Sequence, residues 1–385
     1  MSRPTTRERL AGWLRRREEP TMGALLWLSL TVALLLLLPA ATPRPAVLGW
    51  GLALAVVLAL SLRLRVGLVV VAVLFLAGVG LRVAFVGASW SDVLTVTVAA
   101  IERLTDGLNP YGVGYDVSRP PGAPFPYGPL ALLWYLPFQA APRAVEFSLA
   151  AAVMLALALR GRALGLAVYA MTPALVVTAT DGSNDTSAGV LILLAMVVAE
   201  RLPAAGGALL GLATAFKPHA AAWVLPLAVW GGLPALIGSL GGAALGWLPA
   251  ILAWGAGPIA DSIARAQAVH ASSYYSLGAL AEAALGRSLP AAFFDRLRFV
   301  AGGAVGLATI PLVRSHRSMV LAGVAIFAVT LYMGYWATFA YLAALAPVVC
   351  WYLDEWLGFG ERRVVWPGDP AGAVNAAADR RWPRR

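Results

Sequence analysis

The feature that most constrains this chain is a recurrence. Across residues 22–352, apolar stretches of roughly the 20 residues that span a bilayer follow one another with only short polar interruptions. Such segments need an apolar solvent. Of 385 residues 60% are hydrophobic and 12% charged, and the mean hydropathy of +0.77 is far above that of a soluble domain. The pattern predicts an all-α fold, a polytopic transmembrane helical bundle of roughly ten to twelve spans. It fills residues 22–353 as a single domain, between a basic N-terminal segment at 1–21 and a basic tail at 354–385.

The formal charge of +10 would suit nucleic acid if it formed one surface, but the arginines stand in short clusters at the edges of apolar segments. A nucleic-acid partner is therefore not expected. Arg15, Arg16 and Arg17 precede the first span, and Arg362, Arg363, Arg380, Arg381, Arg384 and Arg385 follow the last. The positive-inside rule puts both ends in the cytoplasm and makes the number of crossings even. One cysteine, Cys350, provides neither a disulfide framework nor a thiolate metal cluster.

The first spans read as 22–38, 46–62 and 66–86, with Arg63 and Arg65 marking a cytoplasmic turn and Trp90 an outer aromatic belt. Residues 91–127 are then the first large external loop. Within it Leu94, Val98, Ile101, Leu104 and Leu108 recur at three- and four-residue spacing, while Thr95, Glu102 and Asp106 share the other face. That spacing predicts an interfacial helix ended by Gly107. A turn at Asn109, Pro110 and Tyr111 follows, and Pro120, Pro121, Pro124 and Pro126 forbid regular helix up to Tyr127. A helix-poor flap is expected there.

Further on, 130–138 reads as a short or re-entrant piece and 145–159 as an inward span, so that 127–162 makes one net crossing. The run 163–178 returns outward as one span and delivers Asp181, Gly182, Ser183, Asn184 and Asp185 to the external face. Glu200 and Arg201 fall inside, 204–216 leads back out to Lys217, Pro218 and His219, and two more segments reach Trp254. A second external loop is expected at 255–289, holding His270, Ser272, Ser273, Tyr274 and Tyr275. Arg314, His316 and Arg317 mark the next cytoplasmic turn, and the last hairpin turns outside near Tyr335 and Trp336.

Charges at membrane depth are expensive, so the polar clusters are the candidate site. Asp92 has two readings: a general base for an acceptor hydroxyl, or the N-cap of the interfacial helix. Lys217, the one lysine in the chain, either holds an anionic headgroup as a point charge or snorkels at a membrane edge. Asp181, Asn184 and Asp185 either cap the following helix or bind sugar hydroxyls, and they are too few to claim a metal. Tyr111, Phe125, Tyr127, Tyr274 and Tyr275 offer aromatic faces for a sugar or anchors for the interface. His219 and His270 are given no proton-transfer role.

The order Asp92, then Gly107, Asn109, Pro110 and Tyr111, then Tyr127, Pro129 and Leu130, resembles the first external loop of GT-C glycosyltransferases that use polyprenyl-phosphate mannose. The bacterial family-87 mannosyltransferases and the mannosyltransferase that adds the first mannose of the GPI anchor share it. Thr172 and Pro173, followed by Asp181, Ser183, Asn184, Asp185 and Lys217, look like the second half of the pattern. The resemblance covers about residues 92–225. It departs at Val93, where an aromatic is common, and in having three spans before the loop, which implies an added N-terminal hairpin.

What the resemblance implies is an inverting glycosyltransferase in a bacterial plasma membrane with its active site external. It would move mannose from a polyprenyl-phosphate donor to a glycolipid or cell-envelope glycan, without nucleotide, cofactor or metal. Asp92 would be the base; Lys217, helped by Arg119 and His219, would meet the donor phosphate. Asn109, Tyr111, Tyr127, Asp181, Asn184, Asp185, Tyr274 and Tyr275 would line the sugar and acceptor site. Two other classes stay open: a lipid or sugar-lipid flippase or transporter, whose substrate would sit nearer the bilayer midplane, and a non-catalytic subunit of a glycosylation complex.

Overall fold

The computed structural model describes residues 67–86, 91–268, 276–335, 337–338 and 340–356. The expected spans at 22–38 and 46–62, the arginines of both ends, Arg63, Arg65, Trp90, Trp336, and the loop residues His270, Ser272, Ser273, Tyr274 and Tyr275 lie outside the described residues. Helix accounts for nearly all the regular structure among those described, the exception being one two-stranded ribbon. Among the described residues two helical stretches, Pro142–Leu159 and Pro218–Trp254, are long and apolar enough to cross a membrane, and shorter apolar helices accompany them.

In chain order the elements are α1 (Gly67–Ala84), α2 (Val93–Thr105), strands β1 (Gly114–Tyr115) and β2 (Ala123–Pro124), α3 (Pro129–Tyr135), α4 (Pro142–Leu159), α5 (Ala163–Met171) and α6 (Pro173–Thr178). Then come α7 (Asp185–Ala199), α8 (Pro203–Phe216), α9 (Val224–Trp254), α10 (Ala256–Ala268), α11 (Leu277–Leu285), α12 (Ala291–Thr309), α13 (His316–Tyr332) and α14 (Ala340–Trp356). Short 3-10 turns occupy Leu136–Phe138, Pro218–Trp223 and Ile310–Leu312.

The described residues divide into two compact units, one of residues 67–81, 152–173 and 350–356 and the other drawn from 82–151 and 174–349. In the first, Gly78 of α1 leaves no room for a side chain: a Cβ there would stand 2.6 Å from Met154 Sδ and 2.7 Å from Ala170 Cβ. The first turn of α5 has no cap of its own at Arg162. Instead Asp354 of α14 accepts from the amides of Leu164 (3.2 Å) and Gly165 (2.8 Å). Free N–H groups at a helix start must be met by some acceptor, and here a carboxylate distant in sequence does it.

The second unit is built on a close helix pair. Gly207 and Gly211 of α8 face Ala235, Ser239 and Gly242 of α9, and Gly238 and Gly242 face Ala204 and Ala208 so closely that a Cβ would collide with backbone. Small residues at this spacing let two main chains approach, the form of helix packing that does not depend on water to drive it. The other side of α9 presents Leu233, Ile237, Leu240, Leu245 and Leu252, all more than half exposed. Gly232, at φ 68° and ψ −162°, kinks α9 near its start.

One expectation changes. The run 163–178 is not one helix but α5 and α6, divided at Thr172, whose backbone is extended before Pro173. Proline disfavours the helical region in the residue that precedes it. Of the stretch 255–289, expected as the second external loop, the described residues are largely helical, as α10 and α11; the serine cap Ser276, accepting from Ala279 N at 3.1 Å, starts the second.

Candidate functional site

α2 begins one residue after Asp92, and Gly107, at φ 74°, follows its end. Its buried residues are Leu94, Val96, Thr97, Ala100 and Ile101. Leu108 is largely exposed, and the polar Thr97 is buried because its hydroxyl donates to Val93 O at 2.7 Å. Thr95, Glu102 and Asp106 face outward as their spacing predicted.

The proline-rich segment after Asn109 is a tight ribbon. β1 and β2 pair antiparallel, Gly114 opposite Pro124, and Ser118 Oγ accepts from Ala123 N at 2.8 Å inside the turn. Gly112 N donates to Ser262 Oγ of α10 at 2.8 Å, fixing the ribbon's base. The turn then presents the backbone N–H of Arg119 to Asp92, whose Oδ2 accepts it at 2.5 Å. Asp92 stands at the N-cap position of α2 but makes no capping bond; its carboxylate is turned to the ribbon.

The neighbouring loop is stitched to this one through main chain. Ser91 N donates to Asp181 O (3.2 Å) and Leu94 N to Gly182 O (2.8 Å). Gly182 holds φ 98°, and a Cβ on it would come within 2.8 Å of Ser91 O, so only glycine fits. Asp181 Oδ1 accepts from Ser183 N at 2.8 Å. Burial pushes the Asp181 carboxyl up to about 7, against the opposing pull of the Ser183 bonds.

Lys217 ends α8 and turns inward. Its Nζ lies 2.6 Å from Asp185 Oδ1, with side-chain exposures of 6% and 3%, and 5.2 Å from the centre of the Tyr127 ring. A side chain so enclosed is not snorkelling. Burial, with Asp185, Asp92 and Asp181 nearby, holds the Tyr127 phenol well above its ordinary range. His219 rests edge-on against Phe327 and Tyr341, and its Nε2 is buried without a hydrogen-bond partner.

These groups share one cavity of about 730 Å³. Asp92, Arg119, Tyr127, Asp181, Asp185, Lys217 and His219 all line it. The lining also includes Arg298, paired with Asp295 at 3.0 Å, and the apolar groups of Leu225, Gly303, Gly306, Ile326 and Phe327. Four aspartates, two arginines, one lysine and one histidine thus border a space whose remaining lining is largely apolar. Among the described residues no three His, Cys, Asp or Glu side chains are gathered as a metal site.

Three residues expected at the site are elsewhere. Tyr111 is 1% exposed, packs on Phe125 and Trp254, and donates its hydroxyl to Tyr127 O at 3.1 Å, so its ring is core rather than a platform for sugar. Burial holds its phenol well above the usual range. Asn109 Oδ1 accepts from Tyr111 N at 2.9 Å, closing the turn. Asn184 precedes α7 without capping it, and both its amide atoms are buried with no hydrogen-bond partner. Tyr274 and Tyr275 lie outside the described residues.

Sequence reasoning passed over Arg298, Asp295 and Tyr341, which line the cavity, and Glu146, which stands behind it. The signal was available for two of them: Glu146 and Arg298 are charges inside apolar runs, where a charge asks for a partner or a function. The chain matches no family model, no curated protein and no solved structure.

Proposed function

We propose that this chain is a GT-C-type membrane glycosyltransferase, a polytopic bundle that transfers a sugar, mannose by resemblance, from a polyprenyl-phosphate donor to a glycolipid or cell-envelope glycan at the outer face. The observation that carries the reading is the direction of Asp92: at a capping position it gives up the cap and faces the cavity that Asp181, Lys217, His219 and Arg298 also line. The exposed leucines and isoleucines along α9 favour lipid as this helix's surroundings. A cavity that combines several charged side chains with a largely apolar lining suits a ligand with a charged head and a hydrocarbon chain.

In this reading the acceptor hydroxyl gives its proton to the Asp92 carboxylate as its oxygen attacks C1 of the sugar. The bond from C1 to the phosphate oxygen breaks on the opposite side, and the electron pair leaves with the polyprenyl phosphate. The sugar is inverted at C1. The N–H of Arg119 holds one carboxylate oxygen at 2.5 Å, which orients the base. The charge of the leaving phosphate is assigned to the basic side chains of the cavity wall, Lys217, Arg119 and Arg298, of which Lys217 and Arg298 each also hold an aspartate, with His219 Nε2 as a further contact. Fixed charges in a site partly closed to water act more strongly than they would in solution.

The test is transfer of label from radiolabelled polyprenyl-phosphate mannose by the purified protein, with membrane lipid extract as acceptor. A new labelled product that needs the protein supports the reading. No transfer, from a donor that another enzyme uses and across other lipid-linked sugars, overturns it and favours a flippase.

A further inference from the structure

Behind the cavity stands a buried polar cluster that does not line it. Glu146 of α4, Tyr135 and Trp134 of α3 and Ser187 of α7 meet with Glu146, Tyr135 and Ser187 at most 1% exposed. Ser187 N donates to Glu146 Oε2 at 3.1 Å, and the Ser187 hydroxyl donates to Glu146 Oε1. Tyr135 OH donates to the same Oε1 at 2.5 Å, and Trp134 Nε1 to Ser187 Oγ at 3.1 Å.

The place of this cluster explains its use. α7 starts at Asp185, and its capping residue Asn184 makes no side-chain bond. The amides of a first helical turn have no partner within the helix, and in apolar surroundings leaving one unmet is costly. Glu146 meets the amide of Ser187 from another helix, as Asp354 meets those of Leu164 and Gly165. Because it also grips the Ser187 side chain, it fixes the rotation of that turn about the helix axis as well as its position. Asp185, two residues earlier in the same turn, is the partner of Lys217.

We infer that Glu146 is a positioning residue: it replaces the missing cap of α7 and so holds Asp185 against Lys217 at the cavity wall. Its relevance to transfer rests on the function proposed above, but the positioning itself does not, and it can be measured without substrate.

Lys217 is the one lysine in the chain, so reductive methylation of the intact, detergent-purified protein reports on a single side-chain amine. The rate at Lys217 is read by mass spectrometry, with denatured protein as the reference for full access. Wild type reacts slowly. Glu146→Ala raises the rate by about tenfold, the usual worth of a buried hydrogen bond. Glu146→Asp, which keeps the charge but shortens the reach, raises it too and covers the case in which the alanine variant does not fold. Glu146→Gln, able to accept from Ser187 N, stays near wild type. Ile192→Ala, a core truncation two turns along α7, leaves the rate unchanged while lowering thermal stability. Unchanged rates in the alanine and aspartate variants, or an equal rise in Ile192→Ala, would overturn the inference. Failure of the transfer assay would not touch it.

Discussion

Lys217 Nζ lies 2.6 Å from Asp185 Oδ1 in a place where neither side chain is more than 6% exposed. A charge pair this deep gains little over an apolar pair of the same shape, because desolvation offsets the attraction, but removing one member leaves the other stranded.

Lys217→Met is therefore expected to cost about 3–5 kcal/mol, the usual penalty for breaking a buried pair. Lys217→Met combined with Asp185→Leu should recover most of that loss. Thermal unfolding of the purified variants as a double-mutant cycle measures both; additive losses would show that the pair is not coupled.

Asp181 makes stability depend on pH. Its carboxyl sits at about 7 in the fold against an ordinary 3.8, so the folded state binds the proton more tightly than the unfolded chain. Stability contributed by this group is full in acid and falls as pH rises from near 4 to near 7, at up to about 1.4 kcal/mol per unit. Asp181→Asn keeps the neutral form at every pH and should flatten that part of the profile. Denaturant unfolding across the range decides it; the same slope in the variant would put the titration elsewhere.

Gly182→Ala places a side chain at φ 98° and within 2.8 Å of Ser91 O. Strain of this kind costs about 1–3 kcal/mol. Because Ser91 and Leu94 bond to this loop on either side of Asp92, the variant should lose transfer activity beyond its loss of stability. Activity measured well below the unfolding temperature separates the two effects; full activity there would mean the loop does not set the position of Asp92.

The local parts of the site were legible in the sequence because their causes are local. The three- and four-residue spacing after Asp92 gave α2, Gly107 its end, and the prolines at 120, 121, 124 and 126 the ribbon without helix. Lys217 and Asp181 stood out as charges beside apolar runs. What was hidden depends on packing between distant elements. Tyr111 is as aromatic as Tyr127, and nothing in their neighbours tells that one ring is enclosed by Phe125 and Trp254 while the other reaches the cavity. Asp92 and Asn184 both occupy capping positions and neither caps: the Asp92 carboxylate accepts from Arg119 N of the ribbon, and the first turn of α7 is met by Glu146 from another helix. The break at Thr172 was readable from Pro173, but the unbroken apolar run concealed it.

The most direct test of the account is the rate of sugar transfer from radiolabelled polyprenyl-phosphate mannose by Asp92→Asn beside the unmodified protein, both shown to be folded. The amide keeps the shape and can still accept from Arg119 N, but it takes up no proton from the acceptor. Turnover should fall by roughly 10²- to 10⁴-fold, the worth of a general base. Transfer at the unmodified rate by the folded variant would contradict the account and remove Asp92 from the chemistry.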